Sequence, residues 1–60
     1  MTRQTAEIIF TIYRALWHRF PKMSGELLVT MTAKSADGQG IVPGCGPADV
    51  AKAFVVRGTS

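Results

Sequence analysis

Cys45 is the residue whose type and position come closest to a reactive group. It stands between Gly44 and the pair Gly46-Pro47, where a helix is predicted to begin, and a helix amino terminus lowers the pKa of a thiol and favours the nucleophilic thiolate. A catalytic cysteine also needs a base and an oxyanion site, and nothing in the sequence places His18, the single histidine, beside it. We therefore interpret Cys45 as a small residue in a tight turn and predict no catalytic residue.

The sets of residues that bind metals and phosphates are also incomplete. One cysteine and one histidine cannot furnish a closed zinc site. The glycines at 38, 40, 44 and 46 lack both the Lys-Ser/Thr pair of a phosphate-binding loop and the long βαβ unit of a dinucleotide fold. An anion on the free amides where the second predicted helix begins is left open as an alternative. We predict no metal, no cofactor and no enzymatic activity.

Aromatic and basic side chains cluster in the first part of the chain and form the best candidate for a binding surface. In a helix, Arg14 lies one turn from both Phe10 and Trp17, and protein interfaces favour large aromatics and arginine. The predicted partner-binding residues are Phe10, Tyr13, Arg14, Trp17, Arg19 and Lys22. The alternative is that the aromatic rings only complete the core of the monomer.

Basic charge keeps nucleic acid open as a second target. The net charge is +3 and the isoelectric point is about 9.6, and Arg14, Arg19 and Lys22 surround Trp17 and His18 in the sequence, a combination that suits phosphates. The seven basic residues match no helix-turn-helix, homeodomain, finger or RNA-recognition pattern. Binding to a protein is the first interpretation and binding to nucleic acid the alternative.

The elements that position these residues begin with an amphipathic helix from Arg3 to Phe20. Pro21 disfavours helical geometry in the preceding residue, so the helix is expected to end at or just before Phe20. Flanking residues widen its apolar sector to about 220°, where about 100° is enough to seat a helix on one core. We therefore expect self-association or a partner. The central apolar stripe consists of Ile9, Ile12, Tyr13, Leu16 and Phe20.

The middle of the chain reads as a β-hairpin. Residues 26–34 alternate between apolar and polar side chains, with Leu27, Val29 and Met31 on one face, which predicts a strand. Asp37-Gly38 is typical of a hairpin turn, so residues 39–42 are expected to return as a second strand.

A second helix is predicted to begin at Pro47, with Asp49 in its first turn, and Gly58 is expected to stop it. The predicted fold is therefore a small α+β domain with the order helix, strand, strand, helix, in which both helices pack on one face of the hairpin.

Length and composition fit one small domain over residues 1–60 that gains from a partner. A chain of 60 residues buries only about 60% of its unfolded surface, and a single cysteine cannot form an internal disulfide. That cysteine also suits a reducing compartment, so we expect a cytoplasmic protein. The apolar run from Ile8 to Tyr13 is too short to span a bilayer, which takes about 20 residues, and we expect no membrane partner.

The predicted hairpin followed by an alanine-rich helix is similar in style to small phage and mobile-element accessory proteins, including some anti-CRISPR inhibitors. The resemblance rests on Gly46, Pro47, Ala48, Ala51 and Ala53 and carries over no functional residue. It implies stoichiometric binding to a larger host complex without catalysis. We expect a small protein-interaction module, of the phage-inhibitor type or as a homodimer; the alternative is a small basic nucleic-acid-binding or transcription-regulatory protein.

Overall fold

A computed structural model describes residues 1–58 of the chain. It contains three helices: α1 (Arg3–Arg19), α2 (Gly25–Gly38) and α3 (Pro47–Gly58). All three pairs of helices are in contact, and α1 packs on both of the others. Residues 1–58 contain no β-strand, so the predicted α+β class is wrong and the fold is all-α.

Helix α1 begins and ends where the sequence predicts. Its N-cap is Thr2, whose Oγ1 accepts a hydrogen bond from the Thr5 amide at 3.1 Å, which satisfies one of the free amides of the first turn. The Phe20 amide closes the last turn by donating to the Leu16 carbonyl at 2.8 Å. The predicted end of the helix just before Phe20 is therefore confirmed.

Helix α2 takes the place of the first predicted strand, residues 26–34, and the second predicted strand, residues 39–42, belongs to the connection between α2 and α3. Ser24 caps it by accepting a hydrogen bond from the Leu27 amide at 3.3 Å. Thr32 reads as a polar residue in the alternating pattern but is fully buried, and its hydroxyl donates to the Leu28 carbonyl at 2.7 Å. Because that bond lies within the same helix, Thr32 enters the core without an unsatisfied hydroxyl.

The predicted hairpin turn at Asp37-Gly38 is instead the last turn of α2. The residue with a positive φ is Gly40, at +71°. Its amide donates to the Asp37 carbonyl and the Ile41 amide donates to the Ala36 carbonyl, both at 3.0 Å. These two bonds form the Schellman motif that ends a helix. The glycines of this segment therefore terminate α2, whereas the sequence pattern predicts a turn between two strands here.

Helix α3 confirms the predicted second helix. The Val50 amide donates to the Gly46 carbonyl at 3.3 Å, which makes Gly46 the N-cap. Asp49, in the first turn, accepts a hydrogen bond from the Gly46 amide through its Oδ2 at 3.0 Å. The hydrogen bond from the N-cap amide to the Asp49 side chain is one of the two bonds of a capping box.

The core lies between the three helices and is built mainly from small side chains. Ile9, Val50 and Thr32 are its largest fully buried side chains. Leu16, which the sequence places at the centre of the apolar stripe, is only half-buried and lies outside the central cluster. The remaining buried residues are Ala6, Leu28, Ala33, Ala36 and Ala53.

Candidate partner-binding groove

A groove with a volume of about 260 Å³ lies between α1 and α3. Its lining consists of Phe10, Tyr13, Arg14, Trp17 and Arg57. Four of these residues belong to the partner-binding set predicted from the sequence, and the fifth comes from α3. The helical spacing of the four on α1 brings them to one side of that helix, where α3 supplies the opposite wall.

The rings of Phe10 and Tyr13 form the floor of the groove, and both pack against Phe54 of α3. The ring of Phe54 on α3 meets Phe10 edge-on, with centroids 6.0 Å apart, and meets Tyr13 edge-on at 5.0 Å. Edge-to-face pairs contribute about 0.5–1.5 kcal/mol beyond the area that they bury. Phe10, Tyr13 and Phe54 are all half-buried, so the rings serve the monomer and still present part of their surface.

Arg57 joins the two walls of the groove. Its guanidinium carbon lies 3.8 Å from the centre of the Phe10 ring, and its Nε lies 3.2 Å from Glu7 Oε1. The cation–π contact and the ion pair act on the same guanidinium, which therefore has a fixed position on the ring. The side chains of Arg57 and Glu7 are 41% and 48% accessible to solvent, so the ion pair itself contributes little to stability.

Trp17 and Arg14 form the open rim of the groove. Trp17 is 52% exposed, and its ring lies 6.0 Å from the ring of its neighbour His18. Arg14 is exposed as well. A large aromatic that stays half in water beside an arginine is the arrangement found at the centre of many protein interfaces.

The other two predicted site residues, Arg19 and Lys22, do not line the groove. Arg19 lies about 140° around the helix from Arg14, since five residues separate them at about 100° each, and its guanidinium carbon lies 5.6 Å from the centre of the Phe20 ring. Lys22 follows in the exposed turn between α1 and α2. The basic cluster seen in the sequence is thus divided between two sides of α1.

Sequence reasoning missed the contribution of α3 to the groove. Neither Phe54 nor Arg57 belongs to the set of partner-binding residues predicted from the sequence. Phe54 and Arg57 are three residues apart, and this spacing predicts that both lie on one side of α3. What they face depends on how the helices pack.

Cys45 lies in the connection between α2 and α3 and has the character of a protonated thiol. Burial raises the pKa of Cys45, and the nearby carboxylates of Asp49 and Asp37 raise it further. Both carboxylates are fixed in place: Asp49 accepts from the Gly46 amide, and Asp37 accepts from the Gly44 amide at 2.7 Å. The thiolate suggested by the helix start is therefore disfavoured, which agrees with a structural role.

Among residues 1–58 there is no group of three or more His, Cys, Asp or Glu side chains that could hold a metal ion. Within the same part of the chain, no helix has the length and apolar character needed to cross a bilayer.

The hairpin that supports half of the resemblance to phage accessory proteins is absent from residues 1–58, because α2 and the connection that follows it occupy its place. The alanine-rich segment that supports the other half is helical, as α3. Comparison of the chain with protein-family models, with curated proteins and with solved structures gave no match.

Proposed function

We propose that this chain is a small non-enzymatic protein-interaction module that binds a larger protein or protein complex through the groove between α1 and α3. The observation that carries the proposal is the exposure of Trp17, at 52%, above an aromatic floor already held in place by Phe54 and Arg57. Contacts made by a rigid floor lose little side-chain entropy on binding. Trp17 is therefore the expected hot spot, with Arg14 beside it.

Within this class we propose a cytoplasmic protein that acts by occupying a binding site on its partner. Stoichiometric inhibition of a host complex, as by anti-CRISPR proteins, is the specific form that the sequence resemblance implies. A second copy of the chain is another partner that fits, because Phe20, at the C-cap of the helix that carries Trp17, also remains exposed. With either partner, we expect the buried surface to include Trp17.

Nucleic acid is the second candidate, and one observation favours it. Three of the four carboxylates are already engaged, since Glu7 pairs with Arg57 and the Asp37 and Asp49 side chains accept backbone hydrogen bonds. Among residues 1–58, Arg57 is the only Lys or Arg side chain in an ion pair. The remaining cations are open to phosphates, whose binding depends steeply on salt.

A photo-crosslinking experiment tests the proposal. The photoreactive residue benzoylphenylalanine would replace Trp17 in one variant and Leu27 in a control, because Leu27 is similarly exposed, at 55%, but lies on α2 away from the groove. We expect position 17 to form a discrete protein adduct in the native host and position 27 to form none. Adducts at both positions, or at neither, would contradict the proposal.

The affinity for the captured partner then separates the two candidates. With a protein partner, Trp17→Ala should weaken binding by about 2 kcal/mol or more, and Arg14→Glu should cost less. With nucleic acid the order reverses, and loss of one phosphate contact lowers the salt slope by about one unit. Both variants would be measured at two salt concentrations, with folding verified by circular dichroism.

A further inference from the structure

The two arginines of the groove differ in their electrostatic balance. Arg57 lies 3.2 Å from Glu7, so its charge is largely offset. Arg14 is exposed and forms no ion pair within residues 1–58. The uncompensated positive charge at the groove therefore belongs to Arg14.

A second uncompensated cation lies on the same side of α1. Arg3 precedes Arg14 by eleven residues, which at about 100° and about 1.5 Å per residue places it within about 20° of the same direction and about 16 Å away. Arg3 is exposed and also has no ion pair within the described residues. This side of α1 thus presents two free arginines separated by the neutralised pair of Glu7 and Arg57.

The surface around Arg14 is apolar and concave. The groove is lined by Phe10, Tyr13 and Trp17, and its volume of about 260 Å³ is below the usual range of about 300–1,000 Å³ for small-molecule pockets. A space of that size suits one apolar side chain of a partner better than a whole cofactor. Positive charge at the rim adds a requirement for negative charge beside that side chain.

We propose that the groove receives an acidic segment of a protein, with an apolar anchor residue against Trp17 and Phe10 and with carboxylates facing Arg14 and Arg3. The proposal rests on the proposed function and specifies the chemistry of the partner. Nucleic acid fits this face less well, because two free cations imply a salt slope of only about 2, whereas typical phosphate-binding surfaces neutralise several phosphates.

Trp17 provides the measurement, since it is the only tryptophan in the chain. The probe is a random copolymer of glutamate and tyrosine, titrated while Trp17 is excited at the red edge of its absorption, where tyrosine does not absorb. We expect saturable binding with a shift of the Trp17 emission to shorter wavelength, because the exposed ring loses water. Polyglutamate, which lacks the apolar anchor, should bind about ten-fold more weakly, in line with the energy of one aromatic contact.

Charge variants test the carboxylate contact. Arg14→Glu should weaken copolymer binding about ten-fold, and Arg14→Ala should weaken it less, because charge reversal adds repulsion to the loss of attraction. The matched control is Lys34→Glu, an exposed cation on α2 that makes the same change in net charge away from the groove. Its effect should stay below about two-fold.

Four outcomes would overturn the acidic-segment proposal: no shift of Trp17 emission, equal binding of polyglutamate, equal effects of Arg14→Glu and Lys34→Glu, or tighter binding of an oligothymidylate than of the copolymer. This failure is distinguishable from failure of the proposed function. If crosslinking at position 17 captures a protein while the copolymer does not bind, the interaction module stands and only the acidic chemistry of its partner is wrong.

Discussion

Truncation of Ile9 tests the packing that positions the groove. Ile9 is one of the largest fully buried side chains and lies on α1 one residue before Phe10. Removal of a buried aliphatic side chain down to alanine costs about 2–5 kcal/mol. A chain of 60 residues has a total stability of only about 3–9 kcal/mol at about 0.05–0.15 kcal/mol per residue. Ile9→Ala is therefore expected to remove a large share of the stability, and to unfold the chain if that stability lies near the lower end of this range.

The assay is urea denaturation followed by far-ultraviolet circular dichroism, with two comparison variants. Ile9→Val should cost about 0.5–1.5 kcal/mol and keep the chain folded, which gives a measurable value even if the alanine variant unfolds. Leu16→Ala should cost less than Ile9→Ala, since Leu16 is half-buried and outside the central cluster. If Leu16→Ala proves the more damaging, the orientation of α1 described above is refuted, and with it the groove.

Three further predictions follow from local contacts. Gly40→Ala should destabilise the chain by about 1 kcal/mol, because φ at Gly40 is +71°, whereas Gly38→Ala should be neutral or stabilising; denaturant midpoints would compare them, and equal effects would contradict the helix ending. Arg57→Ala should lower stability by about 1 kcal/mol through its contact with Phe10, and a near-ultraviolet dichroism spectrum identical to that of the parent chain would speak against that contact. Cys45→Ser should leave partner binding intact. Folding raises the pKa of Cys45, so the protonated thiol contributes stability that is present below the ordinary thiol pKa and is lost as pH rises through the pKa of the folded state. The parent chain should therefore lose stability at alkaline pH, and the serine variant should lose less. Rapid alkylation of Cys45 near neutral pH would refute this prediction.

The sequence predicts α1 and α3 because their boundaries depend on local chemistry. Pro21 ends the first helix, and Gly46 with Asp49 starts the third, so neighbouring residues suffice for both. The sequence does not predict α2, because the alternation of apolar and polar residues over 26–34 matches the period of a strand. The competing signals were Ser24 as a cap and the spacing of four residues from Leu28 to Thr32 and on to Ala36.

The groove could be predicted in part for a similar reason. Phe10, Arg14 and Trp17 lie one helical turn apart, so a single helix is enough to bring them together. Phe54 and Arg57 enter only through the packing of α3 on α1, and no local pattern specifies that contact. Arg19 is predicted to share a surface with Arg14 because the two are close in sequence, but it lies on a different side of the helix.

The pairing of α1 with α3 also sets when the groove comes into existence during synthesis. Phe10 emerges from the ribosome 44 residues before Phe54, which supports the floor, and still earlier than Arg57, which supplies the far wall. Contacts between such distant residues require closure of a long loop, which costs entropy, so they form late in folding. A nascent chain therefore carries an exposed aromatic helix but no binding groove until Arg57 has been released.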